Sequence, residues 1–205
     1  MLKFFFGPHS CALASHIALE ESGLQYEAVR LDLAAGDQKK PEYLKINPKA
    51  RVPALVTERG VLTENPAILA YIAQTAPKAR LAPLDDAYAF GKIQSFNVYL
   101  CSTAHVAHAH GRRGYRWADE QSSYDDMKRK VPETMTAIFD LIEKEMFEGP
   151  WVTGADYSIA DPYLYTLESW WESDKVDPRR FPALAEHRRR REQRPAVQRV
   201  LPIHG

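Results

Sequence analysis

The sequence is short of the features that would take it outside ordinary globular chemistry. It has two cysteines in 205 residues, Cys11 and Cys101, too few and too far apart for a disulfide framework. It has no net charge, because 27 basic side chains balance 27 acidic ones. Neither nucleic acid nor an anionic membrane is therefore expected as the main partner. No apolar run approaches membrane-spanning length, and Met1 to Phe6 is too short for a signal peptide. Internal repeats and low-complexity tracts are missing too. What remains is 45% hydrophobic and 26% charged, an ordinary folding mixture with length for one large domain or two small ones. A soluble cytoplasmic protein is expected.

The first third of the chain reads as alternating strand and helix. Leu2 to Phe6 is a short buried strand, Gly7-Pro8-His9-Ser10-Cys11 a turn, and Ala12 to Glu21 an amphipathic helix with Leu13 and Ile17 four apart. Gly23 stops that helix, and Tyr26 to Leu31 alternates like a strand. Strand, helix and strand in this span form a βαβ unit with parallel strands. A short helix from Pro41 to Ile46, the turn pair Asn47-Pro48 and a strand from Val52 to Thr57 follow. Glu58-Arg59-Gly60 turns the chain into Val61 to Thr63, and Glu64 to Ala76 is helical, with Pro66 in its first turn. Residues 1–76 thus form a small α/β domain in the order βαβ-α-ββα, with a mixed four-stranded sheet.

Pro77 to Asp86 reads as a linker, and residues 87–205 as an all-helical domain. Tyr88 to about His110 is one long helix, and Ser123 to Phe147 another, kinked at Pro132 or starting there. Ser158 and Asp161 make a capping box for a third, whose buried face continues through Leu164, Leu167 and Trp171. Phe181 to Arg194 is the last, with Arg188 to Arg191 as a solvated face.

Two places carry chemistry. Cys11 sits where a helix begins, and the unsatisfied N–H groups and dipole there favour a thiolate or a bound anion. The alternative is a small residue packed in a tight turn. On the long helix, Asn97, Cys101, His105 and His108 lie at steps of four, four and three, on one face. A metal is not expected at His105, His108 and His110, since no further ligand accompanies them at metal spacing. His108 and His110 read as solvated.

Several stretches together resemble the cytosolic glutathione transferases. They are the Ser10-Cys11 turn, Asn47-Pro48 with Arg51-Val52-Pro53-Ala54-Leu55, the run from Leu62 to Leu69 that includes Glu64-Asn65-Pro66, and the run from Gly154 to Pro162. With Cys11 in the first turn and His16 in the first helix, the chain looks most like the bacterial beta class. The resemblance implies a thioredoxin-like first domain, glutathione as co-substrate, and a homodimer. It implies a cis Val52-Pro53 bond that aims the Val52 backbone at the cysteinyl part of glutathione. Glu64 and Asn65 would hold the γ-glutamyl end, and Lys39 or Lys40 the glycine carboxylate.

Phe5 and Phe6 carry no hydroxyl, which leaves Ser10 and Cys11 for the sulfur, and the resemblance to the beta class implies Cys11, with Ser10 in reserve. His105 would line the cleft near the sulfur, with Asn97 reaching it as well. His9, Arg112, Arg113, Tyr115 and Trp117 would wall the electrophile pocket. The implied activity is conjugation of glutathione to small hydrophobic electrophiles. Monothiol disulfide exchange at Cys11 and a non-catalytic ligand-binding or stress-adaptor role are the alternatives.

Overall fold

The computed structural model describes residues 1–204. Its sheet has the strand order β2-β1-β3-β4, formed by β1 (Leu2–Phe6), β2 (Tyr26–Arg30), β3 (Ala54–Thr57) and β4 (Gly60–Thr63). β1 runs parallel to β2 and antiparallel to β3, and β3 is antiparallel to β4. Alternation explains β1: Phe4 and Phe6 are buried on one face, while Phe5 packs on Tyr43 on the other. β3 begins only after Pro53, whose missing N–H cannot join the ladder.

The helix α1 (Ala12–Ser22) is buried at every position from Ala12 to Leu19. It is therefore not amphipathic, as its spacing suggests, but central. It packs against α3 (Asn65–Thr75), α7 (Ala160–Glu168) and α10 (Pro195–His204). A helix enclosed on all sides needs small and apolar residues all round, which Ala12, Ala14, Ser15 and Ala18 supply. The short helix α2 (Pro41–Leu44) precedes β3. One hydrophobic core runs from Phe4 and Leu19 through Ile68 and Ile72 to Ile93, Phe139 and Trp171. The stretch from Pro77 to Asp86 is pinned to it: Leu81 is buried, and its carbonyl accepts the N–H of Ile159 at 2.8 Å.

The remaining chain is helical apart from an isolated bridge between Trp151 and Gly154. The expected long helix exists, as α4 (Ala87–Tyr99) and α5 (His105–Arg113), joined by a π-turn over Leu100–Ala104. Next come α6 (Gln121–Leu141), which runs through Pro132 and so does not start there, and a second π-turn, Ile142–Met146. Trp171 lies in a separate short helix, α8 (Trp171–Asp174), although it is buried as expected. The single last helix is instead two, α9 (Pro182–Glu192) and α10, with Pro195 opening the second. Among the described residues no helix is long and apolar enough to cross a membrane.

Arg191 departs from the solvated face expected of its run. It is fully buried, 3.3 Å from Glu21 and stacked over the ring of Tyr157. Its Nε and Nη2 have no hydrogen-bond partner. The cation thus ties the end of α1 to α9.

Candidate active site

The turn after β1 is shaped by close approach. A Cβ on Gly7 would lie 2.5 Å from the Leu33 side chain, so any larger residue has to displace it. The Ser10 hydroxyl donates to the Gly7 carbonyl at 2.6 Å and accepts from the Ala12 N–H at 3.3 Å. Ser10 borders the cleft, but its oxygen is committed to the turn. Cys11 follows as the residue flanking α1, and its Sγ donates to the Val52 carbonyl at 3.6 Å.

Of the two readings of Cys11, its surroundings favour the packed, neutral thiol over the acidic one. Burial pushes the thiol up to about 12, against the lowering pull of the Arg113 charge and a backbone hydrogen bond. Desolvation of the thiolate outweighs what the helix end offers. At neutral pH Cys11 is an S–H donor.

The opposite wall comes from β3 and α3. The Val52-Pro53 bond is cis, and both residues line the cleft with Glu64 and Asn65. Glu64 stands just ahead of α3 at φ 72, a conformation that costs a non-glycine residue about 1–3 kcal/mol and recurs at binding sites. Its carboxylate receives Lys49 Nζ at 2.6 Å. The Asn65 side chain points inward: it donates to the Cys11 carbonyl at 2.7 Å and accepts from the Ser15 hydroxyl at 2.5 Å. It therefore braces α3 against α1, leaving backbone N–H groups at the helix start for a ligand.

The helical half supplies Cys101, His105, Val106, Ala109 and Arg113, with Tyr115, Arg116 and Trp117 from the following turn and Tyr163 from α7. The π-turn delivers Cys101 and changes the register across it. Asn97, on the same face by α-helical counting, is fully buried and does not line the cleft, and neither of its side-chain polar atoms has a partner. Such turns concentrate at functional sites. Burial lowers the His105 imidazole to about 3, helped by Arg113 and His108, so its ring is neutral.

Three further expectations change. His9 is exposed outside the cleft at φ 54, and its N–H bonds the His204 carbonyl at 3.1 Å. Arg112 is exposed and turned away, because one step along α5 rotates the side chain by about 100°. Arg113 takes the cleft position. Lys39 is exposed and does not border the cleft, and Lys40 is paired with Asp37 at 2.6 Å. Nor is His108 solvated: its Nδ1 lies 2.8 Å from Asp174, and its ring stacks on Trp170 at 3.9 Å. Lining residues that the spacing did not single out are Gln38, Arg51, Arg116 and Tyr163. Arg51 carried one signal, since it directly precedes Val52-Pro53.

The cleft encloses about 310 Å³. A larger groove, of about 1150 Å³, lies between the end of α1, the 77–85 stretch and α10. No cysteine or histidine lines it, and its Glu20 and Glu21 are taken by Arg199 and Arg194. The smaller cleft holds the chemistry. It combines a neutral thiol and a neutral imidazole, a carboxylate beside a helix start, the Val52 backbone, and three guanidinium groups.

Known proteins share this fold. The N-terminal domain family of glutathione S-transferases matches residues 1–74. A glutathione transferase homologue from Sulfitobacter, solved with bound glutathione, superposes with a TM-score of 0.95 at 46% identity, over 99% of this chain and 98% of its own. A bacterial beta-class glutathione S-transferase from Sphingomonas chungbukensis gives 0.85 at 32% identity, over 99% and 98%. Glutathione S-transferase GstA of Escherichia coli O157:H7 is 30% identical over 211 residues, spanning 100% of this chain and 99% of its own. With relatives matched from end to end and a thioredoxin-like sheet followed by helices, the chain belongs to the cytosolic glutathione S-transferase family.

Proposed function

We propose that the protein binds glutathione in this cleft and adds its thiolate to small electrophiles. The observation that carries the reading is the meeting of Cys11, Val52, Glu64 and His105 around one cleft, from both halves of the chain. Residues 1–76 serve as the glutathione-binding domain, 87–205 line the electrophile side, and 77–86 join them.

Each part of the tripeptide has a complementary group. The Glu64 carboxylate suits the α-amino group, with Lys49 moving aside, and the α3 start suits the γ-glutamyl carboxylate. The Val52 backbone suits the cysteinyl amide. When the Val52 carbonyl takes that amide, the Cys11 S–H loses its present acceptor and becomes free for the glutathione sulfur. Arg51, beside Val52 and without a carboxylate partner among the described residues, replaces Lys39 as the group for the glycine carboxylate.

Catalysis then rests on stabilising and positioning a thiolate. The neutral Cys11 thiol and the neutral His105 ring each offer one hydrogen bond to it. Disulfide exchange would need Cys11 itself as a thiolate, and a thiol held at about 12 disfavours that. A second copy of the chain is the expected partner, supported by exposed Val61 on β4 and Tyr88 and Val98 on α4.

The test is a calorimetric titration with glutathione, followed by conjugation to 1-chloro-2,4-dinitrobenzene. Saturable binding and turnover above the uncatalysed rate are expected. Absence of glutathione binding at millimolar concentration sinks the proposal.

A further inference from the structure

We infer that the second substrate is an aromatic electrophile carrying an anionic group, with its ring against Tyr115 and Trp117 and its anion between Arg113 and Arg116. The inference rests on the glutathione reading above and narrows its other substrate.

The argument begins with charge. The side chains around the cleft include three guanidinium groups, Arg51, Arg113 and Arg116, and one carboxylate, Glu64, which Lys49 already neutralises. Among the described residues none of the three has a side-chain ion pair or hydrogen bond. Arg30, Arg59, Arg80 and Arg112 are unpaired among the described residues too, but all four are exposed to solvent; the helical end of the chain treats arginine differently. Every arginine from Arg179 to Arg199 is paired with a carboxylate, as Arg188 is with Glu172 at 2.9 Å and Arg194 with Glu21 at 2.6 Å.

Of the three cleft arginines, Arg51 and Arg116 are exposed, but Arg113 is not simply dissolved in water. Arg113 is half-buried, and burial, then the nearby Arg116 charge, lower its pKa. Like charges drawn together in a partly dry cleft are unfavourable unless something anionic joins them. Glutathione brings two carboxylates, and two groups already suit them, the α3 start and Arg51. Arg113 and Arg116 are left over, with only the single charge of the thiolate near them. Conjugation consumes that charge, so a neutral electrophile leaves both cations without a counter-charge in the product, whereas a carboxylate can accept hydrogen bonds from a guanidinium fork.

The ring follows from the same lip. Tyr115 and Trp117 are 60% and 46% exposed, two large aromatic surfaces lining the mouth beside these arginines. Edge contact with His110, at 4.5 Å between ring centroids, supports the Trp117 ring. Flat apolar surface beside paired cations suits a planar acid.

The test compares two glutathione conjugates as ligands, S-(4-carboxy-2,6-dinitrophenyl)glutathione and its methyl ester, by calorimetry. The acid is expected to bind at least tenfold more tightly than the ester, with the ratio shrinking as salt is raised. Arg113→Gln and Arg116→Gln should each reduce that ratio severalfold, while Arg59→Gln, in the exposed β3–β4 turn, should not. Circular dichroism establishes that each variant is folded, and the wild-type salt series reads the same electrostatic preference without any substitution. If glutathione binds but the ratio is near one, or neither cleft variant lowers it, this inference falls alone. If neither glutathione nor either conjugate binds, it falls together with the glutathione reading.

Discussion

The start of α7 and the candidate active-site cleft treat their polar groups in opposite ways. At α7, Asp161 accepts the Ser158 N–H at 2.7 Å and the Val152 N–H at 2.9 Å, and lies 3.2 Å from His187. His187 meets Glu168 at 2.9 Å on its other nitrogen, and all three side chains are fully buried. The charges close on one another. In the cleft, by contrast, three arginines stand without carboxylates, Glu64 sits at φ 72, and a half-buried thiol is held neutral. A polar group closed within the chain serves the fold; one left open at a cleft is what a ligand completes.

The contrast breaks most visibly at Asp161. Asp161→Ala strips two backbone N–H groups and His187 of their shared acceptor. A loss of about 3–5 kcal/mol is expected in urea unfolding, the scale for breaking a buried pair; a loss below 1 kcal/mol would mean the cluster is not closed as described.

The pH dependence of stability sharpens it next. Burial acts to lower the His187 imidazole, but Glu168 and Asp161 outweigh it and hold it at about 9. A folded value above the unfolded one, about 6.5, gives stability that is complete below the unfolded value and is lost as pH rises through 9. His16 and His204 act in the other direction. They meet at 2.8 Å, and burial lowers them to about 4 and about 3. Their contribution is complete above about 6.5 and disappears as pH falls through those values. The urea midpoint should therefore peak near neutrality, and His187→Gln should flatten the alkaline side. A midpoint rising from pH 7 to 9 in the wild type contradicts this.

Smaller effects belong to the cleft. Cys11→Ala removes one hydrogen-bond donor to the sulfur, so kcat for conjugation should fall about tenfold, or about 1.4 kcal/mol. Rate unchanged, with glutathione still bound, would transfer the sulfur to His105 alone. Smallest of all, Arg113→Gln should stabilise the ligand-free protein by about 0.5 kcal/mol, because it removes a repulsion from Arg116. Destabilisation would show that Arg113 is closed within the fold after all.

Much of the scaffold was legible in residue order. Alternation in Leu2 to Phe6, the Gly23 stop, Pro66 in the first turn of α3 and the Ser158-Asp161 capping box each act within a few residues. The structure has every one of them. The cleft was legible in such local signals at Ser10-Cys11, Val52-Pro53 and Glu64-Asn65, and His105, Arg113, Tyr115 and Trp117 line it as expected too. It was misread where register carries through a long element. The π-turn between Asn97 and His105 breaks the α-helical count, so Asn97 is buried and His105 lines the cleft. A single step separates exposed Arg112 from Arg113.

The Gly7–Cys11 turn shows where the division falls. Sequence alone determined that a thiol stands at a strand-to-helix turn, since glycine, proline and helix-forming residues set that geometry over a few positions. Only the tertiary structure decided that the thiol is neutral, that Ser10 is committed to its own turn, and that Arg113, not Arg112, lines the cleft. Protonation depends on desolvation and on charges brought from distant parts of the chain, and those distances exist only once the chain is folded.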